Sequence, residues 1–264
     1  MLFSKASSNK FPMKAAQDSE RYLRQIMLHE IGSKGQEKLQ SSKLLIIGAG
    51  GLGSAAAFYL AAAGVGSIGL ADNDIVDQTN LNRQILHRPE TVGRTKVDSA
   101  REMLTGFNPE ISIIPHLFYC VSGKQLEDLI KDYEIVLDCT DNFDTRHIIN
   151  NACVNKRKPL IYGAISEFEG QIMTIIPGKT PCYTCLYPSI PRTSNATAAV
   201  IGVVPGIIGT LQASEALKYL LGIGELLKGR LLFIDLLDMY IEIMKVTKNK
   251  QCPICGNLQR CFEK

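Results

Sequence analysis

Three groups of residues in this 264-residue chain have the types and spacing to do chemistry. The first is Gly48-x-Gly50-x-x-Gly53, set between an apolar run at 44–47 and an Ala-rich helical run at 52–63. A run as short as 44–47 suits a buried parallel strand rather than a helix. Glycines at this spacing let the chain reverse sharply, admit a phosphate to bare backbone N–H groups, and pack a helix closely on the strand. The helix N-terminus then directs partial positive charge at an anion. At the end of a second apolar run, Asp72 is placed to accept from ribose hydroxyls. A glycine-rich turn with no ligand is the plainer reading. Strand, turn, helix and distal acid together favour a nucleotide, without saying which one.

The second group lies in the polar stretch 72–84, DNDIVDQTNLNRQ, which holds Asp72, Asp74, Asn80 and Arg83. Downstream are Lys96, opening a helix after Val92-Gly93-Arg94-Thr95, and Asp141-Asn142 at a strand's end. A triphosphate site needs such parts: an acid for the ribose, cations for the phosphates and a carboxylate for Mg²⁺. Each also has a bland alternative. Lys96 could be a solvated helix residue, Arg83 half of a surface ion pair, and Asp141 the cap of the next helix.

The third group is two C-x-x-C pairs, Cys182/Cys185 and Cys252/Cys255, in the tight knuckles PCYTC and QCPICG. Four thiolates suit tetrahedral Zn²⁺, and a closed Cys₄ shell leaves no position for a reactive water. A redox role needs one such pair at a helix start, so two matched pairs favour structural zinc over a disulfide or redox function. Cys120, Cys139, Cys153 and Cys261 read as ordinary buried or surface thiols.

The elements that must position these groups follow a β-α-β rhythm. Strands are expected at 44–47, 67–71, 111–115, 135–137 and 159–162. Helices are expected from Asp18 through the pattern SERYLRQIMLHEIG, then at 34–39, 52–63, 96–104, 124–131 (capped by Ser122) and 145–156. That alternation predicts a Rossmann-like, doubly wound parallel sheet with ligands at the strands' C-terminal ends. Beyond Gly163 the rhythm changes to strands at 171–176, 231–236 and 240–246 with one helix, 207–221, among them. Short turns such as Leu237-Asp238-Met239 predict antiparallel additions to the same sheet. The fold class is therefore α/β with antiparallel extension and a Cys₄ zinc site.

Composition bounds the rest. A hydrophobic content of 45% supports a sizeable core, and a net charge of +3 is too small to argue for a nucleic-acid surface. No apolar run reaches the roughly 20 residues of a membrane span. Residues 1–17, which include Met13 as a possible internal start, read as a disordered tail rather than a transit peptide. Eight cysteines without a secretory signal point to a reducing compartment, and a cytoplasmic location is expected. No linker divides 18–264, which reads as one domain.

The ordered set RYLRQ (21–25), GAGGLG (48–53), DND…NLNRQ (72–84), VGRTK (92–96), LDCTDN (137–142), GQI (170–172), the paired knuckles and GTLQASEALK (209–218) resembles the MoeB/ThiF/HesA family, bacterial relatives of ubiquitin-activating enzymes. The resemblance extends from Arg21 to Gly256. It implies ATP-dependent adenylylation of the C-terminal glycine of a ubiquitin-like sulfur-carrier protein ending in Gly-Gly, within a homodimer built on one continuous sheet. It further implies that Gly48, Gly50, Gly51 and Gly53 approach the phosphates and that Asp72 holds the ribose. Asn80, Arg83 and Lys96 would contact the phosphates, and Asp141 would take Mg²⁺ with Asn142 beside it. Arg24 resembles the arginine that reaches the neighbouring subunit's ATP; without the resemblance it reads as a helix-surface charge.

The implied reaction needs no general base, because a carboxylate is already a nucleophile, and none of the four histidines needs a role. In-line positioning and cations that absorb pyrophosphate charge should suffice. Two other readings are an NAD-dependent oxidoreductase, which shares the glycine turn and distal acid, and a non-catalytic docking module for a ubiquitin-like partner. The basic residues after Asp72 and the Asp141-Asn142 pair argue against both. Molybdopterin, thiamine and other sulfur-carrier pathways share these residues. The stretch 189–201, corresponding to the loop that crosses the active site, contains no cysteine, and the family-cysteine position falls near Asn195. The enzyme is thus expected to stop at the acyl-adenylate, with sulfur coming from a separate donor.

Overall fold

The computed structural model describes residues 20–118, 123–189 and 199–256. In chain order its elements are α1 (Leu23–Ile26), α2 (Gly32–Ser41), β1 (Lys43–Ile47), α3 (Gly51–Ala62), β2 (Ser67–Asp72), α4 (Lys96–Phe107), β3 (Ser112–Leu117) and α5 (Gly123–Ile130). They continue with β4 (Ile135–Asp138), α6 (Phe143–Asn155), β5 (Leu160–Ser166), β6 (Glu169–Ile175), α7 (Tyr183–Leu186), α8 (Val203–Leu221), β7 (Arg230–Asp235) and β8 (Tyr240–Lys245). Among the described residues the strands form one 8-stranded sheet ordered β3-β2-β1-β4-β5-β6-β7-β8. The strands from β3 to β5 pair in parallel, and β6, β7 and β8 add antiparallel.

Alternation along β1 shows how the sheet is covered on both faces. Leu44 and Ile46 join Leu52, Leu60, Leu104, Ile208 and Ala216, so α3, α4 and α8 lie on one face. Leu45 and Ile47 join Leu126, Ile149, Tyr162 and Tyr183, so α5, α6 and α7 lie on the other. Period-2 side-chain direction in a strand buried on both sides produces this double layer. The close approach of α8 to α3 depends on Gly209, where a Cβ would lie 2.3 Å from the carbonyl oxygen of Leu52.

Two expectations are corrected and one short helix is added. Of the helix predicted from Asp18, the described residues form only the four of α1, followed by turns to Ile31. Its apolar residues share no buried face: Tyr22 is buried, whereas Leu23, Met27 and Leu28 are 50%, 61% and 52% exposed. The helix expected from 207 starts at Val203, because Pro205 falls in the first turn, where no N–H is needed. The short helix α7, inside the first cysteine knuckle, was not anticipated. Ser122, the tail 1–17, Cys120, Cys261 and Asn195 lie outside the described residues. No helix among the described residues is long and apolar enough to cross a membrane.

Candidate active site

Order β2-β1-β4 brings three chain turns out of neighbouring strand ends. Ile47 stands in register with Ala71 on one side and Asp138 on the other. The ladder extends one bond further on each side, from Gly48 N to Ala71 O (2.8 Å) and from Cys139 N to Ile47 O (2.8 Å). The glycine turn, Asp72 and the 139–142 turn therefore converge where strand order reverses, the usual ligand crevice of an open α/β sheet.

The glycine turn is set by steric need at two positions. Gly48 has φ of +100°, and a Cβ there would lie 2.6 Å from the Cys139 carbonyl oxygen. At Gly53 a Cβ would fall on Gly48 O, so this residue allows α3 to pack on the strand. Gly50 differs. A Cβ there would make only an ordinary contact, with the Gln84 amide at 3.7 Å, so the space above it is not crowded. The first-turn N–H groups of α3 have no intrahelical acceptors and face that space.

Asp72 accepts from Ala49 N through Oδ2 (2.7 Å) and from Asp74 N through Oδ1 (2.8 Å). Each oxygen keeps a second lone pair for a hydroxyl donor. The stretch after it is folded rather than loose. Asp77 caps the 3-10 turn Gln78–Asn80, with Asn80 Oδ1 accepting from Asp77 N (3.0 Å). Arg83 Nη1 donates to Thr79 O (2.9 Å) and Asn82 Oδ1 (3.0 Å), and no carboxylate pairs with it among the described residues. Lys96 is 6% exposed and donates to Asp74 Oδ2 (2.8 Å). The burial of Lys96 contradicts its solvated-helix reading, and among the described residues Arg83 is not half of an ion pair.

At the end of β4, Asp141 is exposed and accepts from Asn142 Nδ2 at 3.3 Å. Asn142, not Asp141, caps α6, accepting from Thr145 N (2.9 Å). The preceding residue, Thr140, is held from both sides. Its N–H and hydroxyl donate to Asp138 Oδ1 (3.0 and 2.7 Å), and its carbonyl accepts from Arg146 Nη2 (2.8 Å). Burial raises the Asp138 pKa, opposed by the Arg146 guanidinium and the Thr140 donors. Gln212 from α8 ties the strand ends together, donating to Asp138 O (2.7 Å) and Ile161 O (3.2 Å).

Arg24 is not brought to this site. It lies on α1, which docks at the far end of α3: Gln25 donates to Ala63 O (2.8 Å), and the Tyr22 hydroxyl accepts from Asn108 (2.9 Å), which also donates to Ala61 O (2.7 Å). The 12 residues of α3 separate that end from the glycine turn, about 18 Å of helix.

The four knuckle sulfurs lie within 4.8 Å of one another, with Cys182–Cys252 at 3.7 Å and Cys185–Cys255 at 3.4 Å. Zn–S bonds of about 2.3 Å put tetrahedral sulfurs about 3.8 Å apart, so the donor set fits zinc and is too open for disulfides. Burial pushes the Cys182 thiol up to about 11 and raises Cys255; a bound cation would supply the charge that holds them as thiolates. Cys139 and Cys153 are buried, with burial raising both thiols.

Sequence reasoning missed four side chains. Arg146 sits four residues after the α6 cap, and its inward position is the one signal available. Gln84 lies within the NLNRQ stretch and is 5% exposed over the cradle. Gln212 and His87 reach the site only through tertiary contacts, which no local pattern announces.

The ThiF family model matches residues 22–254. The SAMP-activating enzyme E1 of Haloferax volcanii is 43% identical, covering 90% of this chain and 88% of that protein. The sulfur carrier protein adenylyltransferase of Thermus thermophilus is 40% identical, covering 91% and 92%. The adenylyltransferase and sulfurtransferase MOCS3 of Aedes aegypti is 43% identical over 90% of this chain, which spans 55% of that longer protein. Among solved structures, E. coli MccB with ATP aligns with a TM-score of 0.82 at 27% identity, covering 91% of this chain and 75% of that one.

Proposed function

This chain belongs to the ThiF family, and we propose that it transfers the adenylyl group of ATP to the C-terminal glycine of a ubiquitin-like sulfur-carrier protein. One observation carries this reading. Three neighbouring strand ends present an uncrowded glycine cradle, Asp72, an Arg83 that among the described residues has no carboxylate partner, a buried Lys96 and an exposed Asp141. A hydride transfer uses the cradle and the acid but needs neither the two cations nor Asp141, so the oxidoreductase reading is not favoured.

The carrier's carboxylate oxygen attacks the α-phosphorus of ATP. An O–P bond forms, the bond to the bridging oxygen breaks, and pyrophosphate leaves with its electron pair. In this reading Asp72 orients the ribose, the N–H groups of Gly50, Gly51 and Gly53 face the phosphates, and Asn80, Arg83 and Lys96 bind the departing charge. Lys96 would exchange Asp74 for a phosphate oxygen. Asp141, beside Asn142, would hold Mg²⁺, a hard cation that binds one or two carboxylates and neutralises phosphate charge. Cys182, Cys185, Cys252 and Cys255 would hold zinc in a closed, structural shell.

An open cleft of about 540 Å³, lined by Asn82, Glu167, Phe168 and 199–202, adjoins Arg83 and would admit an extended carrier tail. Buried Cys139 and Cys153 support a reaction that stops at the acyl-adenylate and passes it to a separate sulfur donor. The single sheet supports one adenylation domain over 18–264. Arg24 would complete the site of a second subunit in a homodimer, and the exposed Leu23, Met27 and Leu28 around it support an interface there.

ATP–pyrophosphate exchange tests the proposal. Exchange should require Mg²⁺ and a ubiquitin-like carrier ending in Gly-Gly, and mass spectrometry should find the carrier's adenylate. Tight NADH binding with no ATP binding would overturn it.

A further inference from the structure

We propose that His87 is a positioning residue for the nucleotide: as the neutral Nε2–H form it holds the Ala49 carbonyl and so fixes the Ala49–Gly50 peptide, whose N–H the glycine turn presents, while Asp72 holds the peptide before it. This rests on the adenylation reading above. His87 is 6% exposed and sits between two acceptor-capable oxygens, with Nε2 3.0 Å from Ala49 O and Nδ1 3.0 Å from Ser99 Oγ. A carbonyl only accepts, so Nε2 carries a proton. Ala49 is therefore gripped at both polar groups, its N–H by Asp72 at 2.7 Å and its C=O by His87. It lies between Gly48, whose backbone is in the left-handed region, and Gly50, where a Cβ would touch only the Gln84 amide. Asp72 thus holds the Gly48–Ala49 peptide and His87 the Ala49–Gly50 peptide, each of which has a glycine on one side and would rotate more freely without an outside partner.

The rest of the proton arrangement is determined by the neighbours. Burial lowers the His87 pKa, and the Lys96 charge adds to this, while the Ala49 bond and Asp72 oppose it. With His87 neutral, Nδ1 must accept, and the Ser99 hydroxyl is its donor. The Thr91 hydroxyl, 3.0 Å from Ser99 Oγ and 2.9 Å from Arg88 O, then gives its one proton to Ser99 Oγ rather than to Arg88 O, and the relay runs Thr91 to Ser99 to His87. The charged groups facing His87 are Lys96 from α4 and Asp72 from β2, both members of the nucleotide site. The loop that carries His87 is docked on the same helix end by Leu86 N to Ser54 Oγ (3.4 Å). Its position and the cradle's geometry are thus one unit.

Two substitutions of similar size separate this role from simple packing. His87→Gln places an amide N–H where Nε2 stands, and His87→Asn places it where Nδ1 stands, toward Ser99. Calorimetry with Mg·ATP should find His87→Gln within about threefold of the natural protein and His87→Asn weakened about tenfold, the effect of one hydrogen bond. In carrier-dependent exchange the loss should fall on the KM for ATP rather than on kcat. Equal ATP affinities in the two variants, whether both natural or both weakened, would overturn the proposal. Should either variant fail to fold, ¹⁵N-histidine NMR of the natural protein at pH 8 decides. His87 must show a protonated Nε2 and a bare Nδ1, and the reverse tautomer or an imidazolium refutes the clamp. If the natural protein binds no ATP, the adenylation reading fails on its own, whereas the NMR result still judges the clamp.

Discussion

At the scale of single residues, the glycines of one motif have different jobs, and substitution should separate them. Gly53→Ala would drive a Cβ onto Gly48 O and lower stability by a few kcal/mol, of the order expected for overpacking a tight contact. Gly50→Ala meets nothing closer than 3.7 Å, so the fold should survive while the methyl fills phosphate space. ATP affinity should fall at least about tenfold with the thermal midpoint nearly unchanged; unaltered ATP binding would argue that the phosphates lie elsewhere. Both jobs come from one spacing, which is why the motif was legible in the sequence while the division of labour was not: what lies over Gly50 is Gln84, and what crowds Gly48 is Cys139, both distant in the chain. A second residue-scale prediction concerns pH. Burial is the main cause that lowers the pKa of His87 and His116 below the ordinary 6.5. Unfolded histidines therefore take up protons before the folded ones do. The stability contributed by keeping both neutral is complete above pH 6.5 and is lost as pH falls through that value toward the lowered folded values. Urea midpoints should drop between pH 7.5 and 5, and the drop should shrink in His116→Gln. A midpoint flat across that range would refute this.

At the scale of elements, period and turn chemistry found nearly every strand and helix of the sheet, because each buries a face whose apolar spacing repeats. The failures have physical reasons. α1 carries apolar residues without burying a common face, and α8 begins with a proline in its first turn. The knuckles were legible as metal ligands, yet their place in the fold was not. Cys182, Cys252 and Cys255 belong to the core layer that includes Tyr162, Met173 and Tyr183. Tyr183 packs against Tyr162, whose ring lies 5.8 Å from the Arg146 guanidinium, and Arg146 holds the Thr140 carbonyl next to Asp141. The carboxy-terminal knuckle is therefore a wedge in that layer rather than an appendage. Reduced, freshly purified protein should contain one zinc per chain. Cys252→Ser should release it and lower the melting temperature by at least about 5 °C, since metal-binding energy is folding energy in such sites. Finding no zinc in the natural protein would dismiss the metal, and an unchanged melting point would dismiss its structural role.

At the scale of the whole molecule, the position of Arg24 decides whether one chain is a complete enzyme. Its helix is fastened by Gln25 and Tyr22 to the Ala61–Ala63 end of α3, while ATP is expected at the other end. A side chain that starts about 18 Å away along that helix cannot reach its own cradle. It is exposed, and exposed Leu23, Met27 and Leu28 flank it, as a residue at a subunit contact would be. In a two-fold dimer, each site would combine Asp141 from one subunit with Arg24 from the other. Arg24→Ala and Asp141→Ala homodimers should both be inactive in carrier-dependent exchange. Mixed and allowed to trade subunits, they form hybrids in which both lesions fall in one site and the other is intact. Random exchange makes half the dimers hybrid with half their sites working, so activity should return to about a quarter of the natural level. If Arg24 acted within its own chain, each hybrid site would carry one lesion and nothing would return. Subunit exchange is confirmed by co-purification of differently tagged chains. Exchange without recovered activity would remove Arg24 from the partner's site and leave it a surface charge.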